Sequence, residues 1–154
     1  MTALMKQGKP FAIIPGGFEE ASISKLGTDR VFLKKRKGFI KYSLQYGYQL
    51  IPAYTFGECD TYYNLQGLWG LRLWLNSRSI PGVIPFGSWW CPWLPRRARL
   101  TTVFGKGLQL PKVAEPTPQE VDKWHAAYVK ELSALFDRHK TEYASNPKLE
   151  LEVW

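Results

Sequence analysis

The stretch from Thr117 to about Asn146 constrains the fold more than any other part of the sequence. Thr117-Pro-Gln-Glu120 reads as a capping box, with the threonine hydroxyl taking a first-turn N–H and the glutamate reaching back. Pro118 falls at the first helical position, where its missing N–H is no loss, and Asp122 is still near the positive end of the dipole. Trp124, Tyr128, Leu132, Leu135, Phe136 and His139 follow at spacings of three and four. That spacing gives a long amphipathic C-terminal helix with one apolar stripe, ended by Ser145–Asn146–Pro147.

The elements before it are short. Phe11–Ala12–Ile13–Ile14, stopped by Pro15–Gly16–Gly17, reads as a buried strand entering a turn. Val31–Phe32–Leu33 is a second candidate strand. Phe39 to Tyr46 has helical spacing, with Gly47 as its C-terminal cap. Leu50 to Phe56 reads as a strand whose Pro52 confines it to an edge or an irregular position. Asp60 or Thr61 is the expected cap of a helix running to about Asn76. Leu65, Leu68, Trp69, Leu71, Leu73, Trp74 and Leu75 make that helix apolar on most faces, so it should be buried or lie against lipid. Ser79 to Pro95 is irregular, aromatic and proline-rich, and Leu100 to Phe104 is a strand ending at Gly105. Short strands alternating with helices predict an α/β domain, a mixed sheet flanked by helices. At 154 residues the chain is long enough for one domain with a core.

Charge narrows the partners. The formal net charge of +8 favours anionic ones: nucleic acid, lipid headgroups or the phosphates of a nucleotide-bearing substrate. No nucleic-acid-binding module is present, which sets nucleic acid aside. Cys59 and Cys91 have no metal-type spacing and read as reduced and structural. No signal peptide is visible in Met1 to Pro10, and no transmembrane helix fits, since the longest charge-free stretch is broken by prolines. Any contact with membrane within this chain is therefore at the surface. Trp69, Trp74, Trp89, Trp90 and Trp93 fall close together, a pattern more common at interfaces than in cores.

Two segments could carry chemistry. In Pro15–Gly16–Gly17–Phe18–Glu19–Glu20 the glycines let backbone approach a ligand, and a carboxylate three residues on can orient a hydroxyl or a catalytic residue. The same residues also suit a tight turn with solvated glutamates. Arg30 to Lys41 holds six basic residues in twelve, either a footprint for phosphate or a solvated basic edge.

Taken in order, these segments resemble a known family. Gly16-Gly-Phe-Glu-Glu20, then Arg36-Lys-Gly-Phe-Ile-Lys41, Gly47, Leu50-Ile-Pro52 and Phe56-Gly-Glu58 are similar to the type-2 diacylglycerol and monoacylglycerol acyltransferases. Thr101-Thr-Val-Phe-Gly-Lys106, Pro111 and the helix holding Trp124, His125, Tyr128 and His139 continue the match to the C-terminus. The resemblance implies part of a glycerol-phosphate-acyltransferase-like fold working on the cytosolic face of the endoplasmic reticulum membrane. It implies acyl transfer from acyl-CoA, a substrate rather than a cofactor, to the hydroxyl of diacylglycerol. A histidine would act as general base. The implied acceptor and acyl-CoA contacts are Gly16, Gly17, Glu20, Arg36, Lys37, Gly38, Phe39, Lys41, Pro52, Phe56, Gly57 and Glu58.

One departure matters. The family's His-Pro-His-Gly motif does not occur here, and His125 and His139 read as structural. The expectation is the C-terminal portion of a single acyltransferase domain, with no catalytic base in this chain. A non-catalytic lipid- or acyl-CoA-binding remnant is the alternative. Monoacylglycerol or wax-alcohol acceptors compete within the family.

Overall fold

The computed structural model describes residues 2–78, 80 and 82–154, except the side chain of Leu73. The expectations for Leu73 in the apolar helix and for Ser79 and Pro81 in the irregular stretch therefore lie outside the described residues.

The chain runs α1 (Thr2–Lys6), α2 (Gly17–Ile23), β1 (Arg30–Val31), α3 (Gly38–Tyr46), β2 (Gln49–Leu50) and β3 (Ala53–Phe56). A single 3-10 turn, Glu58–Asp60, leads to β4 (Tyr63–Asn64), α4 (Trp69–Ser77), β5 (Pro85–Phe86), β6 (Thr101–Phe104) and β7 (Leu108–Gln109). The long helix α5 (Pro118–Tyr143) and β8 (Glu152–Val153) complete it.

Helix α5 has the capping box expected of it: the Glu120 amide donates to the Thr117 hydroxyl and the Thr117 amide donates to the Glu120 carboxylate at 2.8 Å. Removing the cap with Thr117→Ala is expected to cost about 1 kcal/mol in chemical denaturation. Helix α3 ends at Gly47 in the left-handed conformation, as its sequence predicts. The buried side of α5, with Val121, Leu132, Leu135 and Phe136, packs on α3 through Ile40 and Leu44 and on β3 through Tyr54 and Phe56. Aromatic rings hold the centre. Phe136 stacks on Phe56 at 5.3 Å between centroids and meets Tyr54 edge-on at 5.1 Å.

The expected mixed sheet is replaced, among the described residues, by small two-stranded ladders. β3 and β6 form the longest, antiparallel from Ala53 opposite Phe104 to Phe56 opposite Thr101. Its alternation puts Tyr54 and Phe56 on the core side, while Thr55 and Thr102 share a hydroxyl bond on the other. Among the described residues only β1 with β8 runs parallel. Pro52 breaks the predicted Leu50–Phe56 strand into β2 and β3, because it has no N–H to give a ladder.

Two other expectations change. Phe11–Ile14 forms no strand: no partner strand lies beside it among the described residues, and Ile14 stays 82% exposed. The helix expected from Asp60 or Thr61 starts only at Trp69, after Leu68 at φ 52°. Asp60 ends the 3-10 turn, and of the intervening residues Tyr63 and Asn64 are drawn into β4 by pairing with β5.

Gly57 controls the turn after β3. Its φ is 85°, and a Cβ there would run into the carbonyl of Arg99. Gly57→Ala combines a left-handed backbone with a backbone clash, so a loss of about 1–3 kcal/mol is expected in thermal unfolding.

Candidate active site

Helix α2 begins on the double glycine, and the glycines are there for contact. The Glu20 side chain folds back over Gly16, in the space a Cβ would occupy. Its Oε2 accepts the Phe32 N–H at 2.9 Å, tying α2 to the segment after β1. Burial pushes the Glu20 carboxyl above its ordinary range. The Phe32 N–H pulls the other way, and the nearby Glu58 carboxylate adds to the rise. Tyr128 of α5 is raised as well, by burial first and then by the charge of Glu20. Its ring meets Phe39 edge-on at 5.1 Å.

Arg36 closes the other side. Its guanidinium pairs with Glu19, lies 5.7 Å from the centre of the Phe32 ring and comes within 3.6 Å of where a Gly17 Cβ would sit. Its Nε is buried and has no hydrogen-bond partner among the described residues.

The structure thus brings Gly16, Gly17, Glu20 and Arg36 together, with Lys37, Gly38 and Phe39 continuing into α3. Lys37 is bound to Asp122 of α5 at 2.7 Å. Phe39, Pro52 and Phe56 are buried, the last two completely, so they offer no surface to a substrate. Gly57 shapes the turn that places Glu58 near Glu20. Lys41 stands apart on the exposed side of α3. Of the basic run, Arg30, Arg36 and Lys37 are engaged with Glu152, Glu19 and Asp122, which leaves Lys34, Lys35 and Lys41 exposed.

Both histidines have backbone partners. His125 Nε2 meets the Leu33 carbonyl and His139 Nδ1 the Leu135 carbonyl, each at 2.9 Å. Cys59 and Cys91 are free thiols, and burial pushes Cys59 up to about 12, which leaves it inert.

Sequence reasoning missed the group that holds α2 in place. Arg72 is 6% exposed, and its guanidinium donates to the carbonyls of Ser22, Leu65 and Gly82 and to Asn64 Oδ1. The Asn64 amide donates to the carbonyls of Ala21, Ser22 and Ser24. Asn76 Nδ2 reaches the Ser22 hydroxyl at 2.8 Å. These residues close the C-terminal end of the helix whose first turn carries Glu19 and Glu20. The available signal was Arg72 and Asn76 at i, i+4 in an otherwise apolar helix.

Similarity to known proteins places the chain in a family. The family model described as diacylglycerol acyltransferase matches residues 2–154. The chain belongs to this family. It is 36% identical over 162 residues to the mouse diacylglycerol O-acyltransferase 2-like protein 6, covering 95% of this chain and 48% of that protein. To human diacylglycerol O-acyltransferase 2 it is 34% identical, covering 95% of this chain and 40% of the relative. The Dictyostelium discoideum diacylglycerol O-acyltransferase 2 is 33% identical, with 47% of its length covered. The chain therefore spans rather less than half the length of these family members. No solved structure matches it. Its homologues are enzymes of acyl transfer, and the glycine turn, the basic run and α5 all lie within the matched span.

Proposed function

We propose that this chain forms one wall of an acyl-CoA-dependent O-acyltransferase site of glycerolipid synthesis, with diacylglycerol as acceptor and triacylglycerol as product. Family membership over residues 2–154 supports the reaction class. The observation that carries the site is the closure of Glu20, Phe32 and Arg36 around the double glycine.

In this reading the acceptor hydroxyl attacks the thioester carbonyl, the C–S bond breaks and CoA leaves as the thiol. The proton on the hydroxyl goes to a base outside this chain, since His125 and His139 are held by backbone carbonyls, and that base returns it to the departing CoA sulfur. Glu20 orients rather than deprotonates, because its hydrogen bond from the Phe32 N–H fixes it. The exposed Lys34, Lys35 and Lys41 receive the phosphates of CoA, a role that Arg36 and Lys37, already paired, would fill less readily. The reaction takes place at the cytosolic surface of the endoplasmic reticulum membrane, where the acceptor is dissolved.

The engaged histidines also favour a second reading, a lipid- or acyl-CoA-binding remnant without catalysis. Microsomes from cells expressing the gene, given labelled acyl-CoA and diacylglycerol, separate the two. The enzyme reading expects labelled triacylglycerol, and label at background in microsomes that contain the protein would leave only the binding reading. Labelled products from monoacylglycerol or a long-chain alcohol in preference would move the acceptor within the family.

A further inference from the structure

Helix α4 is inside out. Among its described side chains Arg72 and Asn76, one turn apart, are the buried ones, whereas Leu68 at its start is 72% exposed and Leu71 and Trp74 are each at least half exposed. Spacings of three place Leu68, Leu71 and Trp74 along one side. The sequence predicts the reverse for a helix surrounded by water, because each exposed Leu or Trp forgoes its share of burial. The inward polar face is fixed by the hydrogen bonds of Arg72 and Asn76 to α2, so the outward apolar face is a built feature and not a loose end.

The next segment repeats the pattern. β5 pairs with β4, and the following turn is closed by its own backbone: Gly87 N–H to the Pro92 carbonyl and Ser88 N–H to the Leu94 carbonyl, both at 2.8 Å. This ordered tip carries Trp89 at 94% exposure, Trp93 at 80%, and the exposed Trp90. Tyr62, just before β4, donates its hydroxyl to the Trp93 carbonyl at 3.1 Å.

Charge identifies what covers this surface. From Thr61 to Ala114 the chain holds no Asp or Glu, against Arg72, Arg78, Arg96, Arg97, Arg99, Lys106 and Lys112. Arg78 lies 4.4 Å from the Trp74 ring centre and Arg96 4.5 Å from that of Tyr63. Arg96 Nη1 is buried without a hydrogen-bond partner among the described residues. It borders an open groove of about 910 Å³ whose walls include Phe86, Trp89, Trp90 and Arg97. A second copy would meet like charge there. Indoles beside guanidinium groups, with no carboxylate to oppose them, match the boundary of a bilayer with anionic headgroups.

We propose that the 85–97 turn forms a docking surface for an anionic bilayer, to which the outer face of α4 adds exposed apolar side chains. The indoles sit at headgroup depth, and Arg96 and Arg97 take the headgroup phosphates. This deepens the membrane-surface part of the proposed function and rests on it only for the setting, since binding is measured without any acyl transfer.

The test uses the purified chain with sedimenting vesicles of phosphatidylcholine, alone or mixed with phosphatidylserine. Binding should be stronger to the mixed vesicles, with tryptophan emission shifted to the blue and quenched by lipids brominated near the headgroup. Trp89→Ser with Trp93→Ser should weaken binding to both vesicle types at least tenfold. Arg96→Gln with Arg97→Gln should weaken binding to the mixed vesicles by about tenfold or more, from the usual contribution of a basic residue near an anionic surface. Removing equal charge from α5, with Lys123→Gln and Lys130→Gln, should change it far less. Each variant is compared at matched helical circular dichroism. A chain that needs detergent is read by flotation after reconstitution, with the same quenching. Unquenched indoles, or tryptophan variants that bind like the parent, would overturn the proposal. So would concentration-dependent dimers abolished by the tryptophan changes in the absence of lipid binding.

Discussion

Truncating Phe136 to alanine lowers the unfolding free energy by about 3–5 kcal/mol, the range for a large aromatic removed from a packed core. Phe136 is fully buried and touches both Tyr54 and Phe56, so its loss opens the junction between α5 and the β3–β6 ladder. Collapse is restricted because Pro52 and Leu135 already press against Gly105 at the edge of the same region. Phe104 in β6 is the control. It is mostly exposed, and Phe104→Ala should fall within about 0.5 kcal/mol of the parent. Urea denaturation of both variants measures the difference, and equal midpoints would show that α5 does not organise the core.

Arg72→Leu is expected to cost about 3–5 kcal/mol, the scale seen when a buried polar arrangement loses one partner. The volume is roughly kept, so the loss is electrostatic: the carbonyls of Ser22, Leu65 and Gly82 and the Oδ1 of Asn64 lose a donor in a site with little water. Arg72→Lys should recover only part of this, because an ammonium lacks the fork that reaches acceptors on two sides. The loss has a local signature. Amide exchange should quicken in α2 first, since Ser22 is its anchor, while α5 keeps its protection. Uniform exchange across both helices would mean that Arg72 is an ordinary core residue.

Helices α3 and α5 were legible because their signals are local: a capping box, a C-terminal glycine and one apolar stripe. For α4 the helix and its end near Asn76 were legible, but its start and inward face were not, since Leu68 has no capping side chain and the inward face is chosen by bonds to Asn64 and to Ser22, the latter 54 residues from Asn76. Phe11–Ile14 has a strand's composition, but a strand exists only with a partner, and none lies beside it among the described residues. At the candidate site, the order of Gly16, Glu20 and Arg36 singled out residues that the fold brings together. The pairing of Lys37 with Asp122, 85 residues away, has no local signal at all. Neither has the burial of Phe56, which follows from the position of α5.

Glu20 joins these links to function, and its electrostatics give a result with two signs. A carboxyl raised above its ordinary value binds its proton more tightly in the folded state, so its contribution to stability is present at low pH. That contribution is lost as pH rises from the ordinary value through the raised one. Above the raised value the ionised Glu20 therefore weakens the fold. Glu20→Gln removes the charge and keeps an oxygen for the Phe32 N–H. The most direct measurement is turnover of acyl-CoA and diacylglycerol by microsomes carrying Glu20→Gln or Glu20→Ala in the expressed gene, normalised to accumulated protein. The expected result is a fall of tenfold or more in triacylglycerol formation for both, with Glu20→Gln at least as thermally stable as the parent. Parental turnover in both variants would remove the glycine turn from the acyltransferase site.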